Sequence, residues 1–165
     1  MPAIDRALIN NRIGASSHFA GSLPAPPAQH LAVLTCMDAR LHVATMLGLE
    51  AGDAHVIRNA GGVVTEDVIR SLVISQRLLG TREVMVIHHT DCGMLGLRDD
   101  EIKAQIERQV GVRPSFALEG FSDLEGGVRE AIARIRASPF ILHRDGVRGF
   151  IYELRTGRLA EVTGG

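Results

Sequence analysis

Residues 83–93 read EVMVIHHTDCG, and the fold turns on how this stretch is read. Val84 to Ile87 make a short apolar run of the kind that forms a strand buried on both faces. Two histidines, an aspartate and one of only two cysteines follow it at once. Polar, metal-seeking side chains at the end of a buried strand are costly unless something uses them. The same design stands upstream, where HLAVLT (30–35) runs into CMDAR (36–40). Between the two, AHVIRN (54–59) reads as a further strand.

Helical patterns separate these strands. A short helix is expected near Leu41 to Leu47, stopped by Gly48, and a longer one from Thr65 to Leu79. Thr65 caps the second, Glu66 and Asp67 suit its positive end, and Val68, Leu72 and Leu79 recur on one face. Gly80 ends it. DDEIKAQIERQV (99–110) and DLEGGVREAIARIRA (123–137) read as two more helices, with Pro139 closing the second. VRGFIYELRTGRLAEV (147–162) reads as a β-hairpin turning at Thr156-Gly157. A first helix, about Asp5 to Phe19, precedes the proline-rich GSLPAPPAQH (21–30). Strands alternating with helices predict an α/β fold: a mostly parallel central sheet flanked by helices, with an N-terminal helical arm and a C-terminal hairpin.

The whole chain bounds the function. Its 165 residues predict a single domain, 1–165, with residues 1–29 as arm and linker and 30–165 as the α/β core. With 45% apolar residues and a net charge of −1, the chain suits neither a nucleic-acid surface nor disorder. No apolar stretch is long enough to cross a bilayer, and MPAIDRALINNRI lacks a signal-peptide core, so no membrane partner and a cytoplasmic location are expected. Two cysteines in such a setting read as thiols or metal ligands rather than a disulfide.

In parallel sheets, ligands gather beyond the carboxyl ends of the strands. If the two strands are neighbours, Cys36, His89 and Cys92 converge there. Two thiolates and an imidazole suit Zn²⁺ and leave a fourth position for water. Gly93 is expected to let the backbone turn sharply beside the metal. The plain alternative for either cysteine alone is a buried small hydrophobe. Strand alternation turns His88 away from His89 and makes it a packed or hydrogen-bonded residue, while Asp91 reads as a turn residue or a support to the ligands. Asp38 and Arg40 share the strand-end loop with Cys36, at a spacing that brings carboxylate and guanidinium together.

Taken together, CMDARL (36–41), HVIRNAGG (55–62) and HHTDCG (88–93) resemble the C-x-D-x-R, R-N-A and H-x-x-C-G blocks of the β-class carbonic anhydrases, in family order. The core resemblance covers about Leu31 to Leu95, and the length is similar to that of the short bacterial members. It implies a zinc enzyme with one Zn²⁺ per chain that interconverts CO₂ and bicarbonate by zinc-bound hydroxide. It also implies a homodimer with active sites near the interface, and leaves open whether dimers pair into tetramers. Cys36, His89 and Cys92 match the zinc ligands, and Asp38 and Arg40 match the aspartate–arginine dyad that orients the hydroxide. The substrate pocket falls at His55, Ala60, Ile74 and Gly93. His42 and His55 are candidates for carrying protons to buffer.

The departures from the family matter as well. Plant-type members place an aromatic residue at the position of His55 and a tyrosine at that of Ile74. A glutamine that reaches across the dimer falls at Pro27, with Gln29 out of register by two. The pocket should therefore differ in shape and polarity, which keeps hydrolysis of carbonyl sulfide or carbon disulfide as a second reading. A non-catalytic zinc-binding or thiol regulatory protein is the third, and Asp38 and Arg40 speak against it. Some bacterial relatives carry an inhibitory bicarbonate pocket of tryptophan, arginine and tyrosine; Arg58 and Tyr152 match the last two, but Val33 stands at the tryptophan position. Asp38 has two candidate partners, Arg40 and the zinc, and pairing with Arg40 is expected near neutral pH and above.

Overall fold

The computed structural model describes residues 1–15 and 20–163. Its elements follow the chain as α1 (Ala3–Gly14), β1 (Leu31–Cys36), α2 (Val43–Leu47), β2 (Ala54–Asn59), α3 (Glu66–Arg77), β3 (Glu83–His89), α4 (Asp99–Val110), α5 (Leu124–Ala137), β4 (Val147–Glu153) and β5 (Arg158–Glu161). The five strands form one sheet in the order β2-β1-β3-β4-β5. The first four run parallel, and β5 returns antiparallel on β4. This is the expected α/β architecture, with β1 at the centre of the ligand-bearing edge.

Both faces of the sheet are covered, which is why the strands read as continuous apolar runs. Ala32, Leu34, Val84, Val86 and Val147 pack against Val68 and Leu72 of α3 and against Ala131 and Ile135 of α5. Val33 and Ile87 on the other face meet Val43, Met46 and Leu47 of α2. A third, smaller cluster joins Cys36, Leu41 and Cys92 to Met94, Phe121, Tyr152 and Leu154 beyond the strand ends. That last cluster positions the site.

Local chemistry sets the element ends. Thr65 Oγ1 accepts from Val68 N at 3.3 Å and starts α3 one residue later than the pattern suggests. The helix stops at Arg77, so Leu79 lies beyond it, and Ser75 and Gln76 complete its buried face instead. Gln76 is tolerated there because it bonds the backbone of Leu142 and His143. His42, not Leu41, begins α2, and its ring caps the helix. Asp123 caps α5 by accepting from Gly126 N at 2.7 Å. The first helix runs to Gly14, and its expected end at Phe19 lies outside the described residues. Among the described residues, no helix is long and apolar enough to cross a membrane.

Candidate metal centre

Parallel register delivers the ligands. Thr35 pairs with Ile87 and Cys36 with Asn59, so β1 and β3 end side by side. Cys36 closes β1, His89 closes β3, and Cys92 sits one turn further on. One donor atom from each lies within 4.8 Å of the other two, and all three residues are buried. The two sulfurs are 4.0 Å apart. Two thiolates on one tetrahedral zinc, each at about 2.3 Å, stand about 3.8 Å apart.

The protonation pattern also fits a cation. His89 Nδ1 lies 2.8 Å from the Thr90 carbonyl, which only accepts, so the ring hydrogen belongs on Nδ1. In the neutral ring Nε2 then carries the lone pair; it is buried and has no hydrogen-bond partner. Orphaned buried polar atoms are rare, and this one points among two thiols. Burial pushes the Cys92 thiol up, and the nearby Cys36 sulfur adds to that. A positive ion between the two sulfurs would offset that penalty and favour the thiolate form. The donor set thus suits a soft divalent metal such as zinc.

Backbone packing holds the first ligand. The turn Ala60–Gly62 follows β2, and Gly61 N–H donates to Cys36 Sγ at 3.4 Å. Gly62 has φ +67°, and a Cβ there would stand 2.9 Å from the Thr35 carbonyl carbon. Arg58 grips the loop from outside, donating from Nε to the Cys36 carbonyl at 2.9 Å and from Nη2 to the Asp38 carbonyl at 2.7 Å. Sequence reading missed both devices, although the Gly61-Gly62 pair after a strand was a visible signal.

Asp38 and Arg40 stand beside the ligands. Arg40 Nε and Nη2 bond Asp38 Oδ1 and Oδ2 at 2.9 and 2.7 Å, and Arg40 N adds a third contact to Oδ1 at 2.9 Å. These hydrogen bonds hold the Asp38 carboxyl well below the usual carboxylate range. Asp38 Oδ2 is 3.8 Å from His89 Nε2. Arg40 also bonds Asp91, from Nη1 to Oδ2 at 2.7 Å and from Nη2 to the carbonyl at 2.9 Å.

Other expected residues scatter. Gly93 does lie in a turn beside the ligands, closed by Leu95 N–H on the Cys92 carbonyl at 3.1 Å, with nothing within 4 Å of an added Cβ, while the left-handed residue there is Asp91, at φ 57°. Ala60 opens the turn whose next residue reaches Cys36. His55 and Ile74 line a hollow of about 230 Å³ with Ile57, Ser75 and Leu79. His55 stands four residues before Asn59 on β2, about 13 Å along the strand from the metal edge. Its Nδ1 meets Ser75 Oγ at 2.8 Å, and His42 Nδ1 meets Thr45 Oγ1 at 2.5 Å. Gln29 bonds Asp53 on its own chain. Val33 is fully buried beneath the sheet surface, and Arg58 is committed to the two carbonyls. His88 does face away from His89: it stacks on Phe121 at 4.9 Å between centroids, and burial pushes its pKa down to about 4.

Residues 31–116 match the family model described as carbonic anhydrase. The chain is 52% identical over 163 residues to β-carbonic anhydrase 1 of Mycobacterium tuberculosis, covering 99% of each protein. It is 36% identical over 158 residues to a carbon disulfide hydrolase of Saccharolobus solfataricus, covering 81% of this chain and 78% of that one. The crystal structure of a carbonic anhydrase from Streptococcus mutans matches with a TM-score of 0.92 at 45% identity over 99% of each chain.

Proposed function

The chain belongs to the β class of the carbonic anhydrases, and on that premise we propose that it interconverts CO₂ and bicarbonate with one zinc ion held by Cys36, His89 and Cys92. The observation that carries this reading is the buried, unpartnered His89 Nε2 beside two thiols, with a clamped carboxylate 3.8 Å away. A purely structural zinc site has no use for that carboxylate. Zinc bound there supplies Lewis-acid activation of water near neutral pH, an effect for which three-histidine carbonic anhydrases are the standard case. Arg40 keeps Asp38 ionised, so Asp38 can only accept hydrogen bonds. It takes one from the reacting water and turns that oxygen toward the carbon of CO₂. Leu41, Met94, Phe121 and Leu154 give the thiols an apolar surround that suits a small linear substrate. We read residues 1–165 as a single domain with 30–165 as its α/β core, and the two free thiols suit a reducing, cytoplasmic setting.

A homodimer is part of the proposal. No residue of α1 is buried, and Ile4, Leu8 and Ile13 are 75%, 53% and 72% exposed. β2 is an open sheet edge, of the kind proteins cover. If the hollow lined by His55 and Ile74 is a CO₂ pocket, the metal it faces belongs to a partner subunit, because the ligand-bearing end of β2 lies about 13 Å along the strand from His55. Sedimentation at micromolar concentration is expected to give a dimer, and a monomer refutes this part.

Hydrolysis of carbon disulfide or carbonyl sulfide is the second reading, supported by the 36% identity to a carbon disulfide hydrolase. Stopped-flow hydration of CO₂, compared with turnover of the two sulfur compounds, separates them. CO₂ hydration should dominate, vanish with a chelator and return with zinc. Hydration that survives complete removal of metal refutes the proposal.

A further inference from the structure

Arg40 is held from both edges of its guanidinium. Asp38 occupies the Nε/Nη2 edge, and Asp91 takes Nη1 through Oδ2 and Nη2 through its carbonyl. Four of the five guanidinium hydrogens are therefore committed. Asp38 lies in the loop after β1 and Asp91 in the loop after β3, so Arg40 ties the loop that follows Cys36 to the loop that carries Cys92. A lone Asp38–Arg40 pair at the surface could swing as a unit into the groove that Arg40 shares with Thr90, Asp91, Tyr152, Glu153 and Arg155. A planar fork gripped on two edges cannot.

We propose that Asp91 is a positioning residue: it fixes Arg40 from the side opposite Asp38 and so holds the Asp38 carboxylate at its angle beside the metal ligands. Asp91 acts only through Arg40. The arrangement also explains why an aspartate occupies a left-handed position, φ 57°, that asparagine or glycine would take as readily. With the Asp91 carboxylate removed, Arg40 keeps only the Asp91 carbonyl on that side and can lean toward solvent, and Asp38, only 3.8 Å from His89 Nε2, is held less tightly. The inference rests on the role given above to Asp38 and Arg40.

Two variants avoid backbone strain because both residues accept the left-handed conformation: Asp91→Gly deletes the side chain, and Asp91→Asn keeps an acceptor but no charge. Asp91 is 80% exposed, so one exposed contact sets the scale of the effect. Asp91→Gly should lower kcat about fivefold with little change in KM, and Asp91→Asn should fall between it and the native protein. In an Arg40→Ala background, Asp91→Gly should change nothing further. A readout independent of turnover is the Arg40 Nε–H resonance of the zinc-loaded protein, which should lose its protection from solvent exchange in Asp91→Gly. Unchanged protection and unchanged kcat overturn the inference. A raised KM at constant kcat overturns it by making Asp91 a substrate contact, and lost zinc overturns it by placing the effect on Cys92. If native protein fails to hydrate CO₂, the function proposed above fails, while the resonance still decides whether Asp91 holds Arg40.

Discussion

Gly62→Ala tests the packing that presents the first metal ligand. At φ +67° an alanine carries a left-handed penalty of about 1–2 kcal/mol. Its Cβ would stand 2.9 Å from the Thr35 carbonyl carbon, 3.0 Å from Cys36 N and 3.1 Å from Thr35 Cα. All three are backbone atoms of β1, so no side chain can rotate away, and overpacking adds about 1–3 kcal/mol. The stiffer unfolded chain returns about 0.4–1 kcal/mol. The net loss should be about 1–4.5 kcal/mol, or roughly 2–18 °C in Tm for a chain of this size. Urea unfolding of the metal-free protein measures it without the stabilisation that bound zinc adds. The shifted turn should also weaken the Gly61 N–H contact to Cys36 Sγ, so zinc affinity should fall in a competition titration with a chelator. Gly93→Ala is the control, since it meets nothing within 4 Å and lies outside the left-handed region; it should stay within about 0.5 kcal/mol of the native protein. Equal stability of the two variants would refute the reasoning.

Three further outcomes follow from the same structure. Cys92→Ser should empty the metal site and abolish CO₂ hydration, and metal analysis showing full zinc would remove Cys92 from the ligand set. Asp99 accepts from the backbone of Leu118, Glu119 and Gly120, and these bonds depress its pKa. A depressed carboxylate stabilises above its unfolded value, about 3.9, and that contribution is lost as pH falls through the folded one. The gap in urea midpoint between native protein and Asp99→Asn should therefore be full at pH 6 and shrink below about pH 4; a gap that widens in acid contradicts the assignment. Bicarbonate should act as substrate or simple competitor, because Val33 is buried where an indole would be needed and Arg58 is spent on two carbonyls. Sigmoidal inhibition by bicarbonate would count against this.

Much of the fold was legible because it is written in neighbouring residues. The bounds of β2, β3 and α4 follow directly from AHVIRN, EVMVIHH and DDEIKAQIERQV, whose apolar spacing and punctuation specify local structure. The convergence of Cys36, His89 and Cys92 was legible too, since parallel strands end on one edge and reactive residues stood at two such ends. Tertiary structure decided what depends on partners distant in the chain. Arg40 takes its second carboxylate from Asp91, 51 residues away, and no spacing rule links the two. Arg58 reaches back 22 residues to the Cys36 carbonyl. The turn at Gly93 was legible, closed by Leu95 N–H on the Cys92 carbonyl, whereas the left-handed residue just before Cys92 is Asp91, whose carboxylate meets Arg40. His55 of β2 and Ile74 of α3 meet in one hollow away from the ligand-bearing edge, because α3 packs over β2 in the assembled fold. Side-chain periodicity encodes which face is buried, but only the assembled sheet brings a guanidinium within hydrogen-bond reach of both carboxylates.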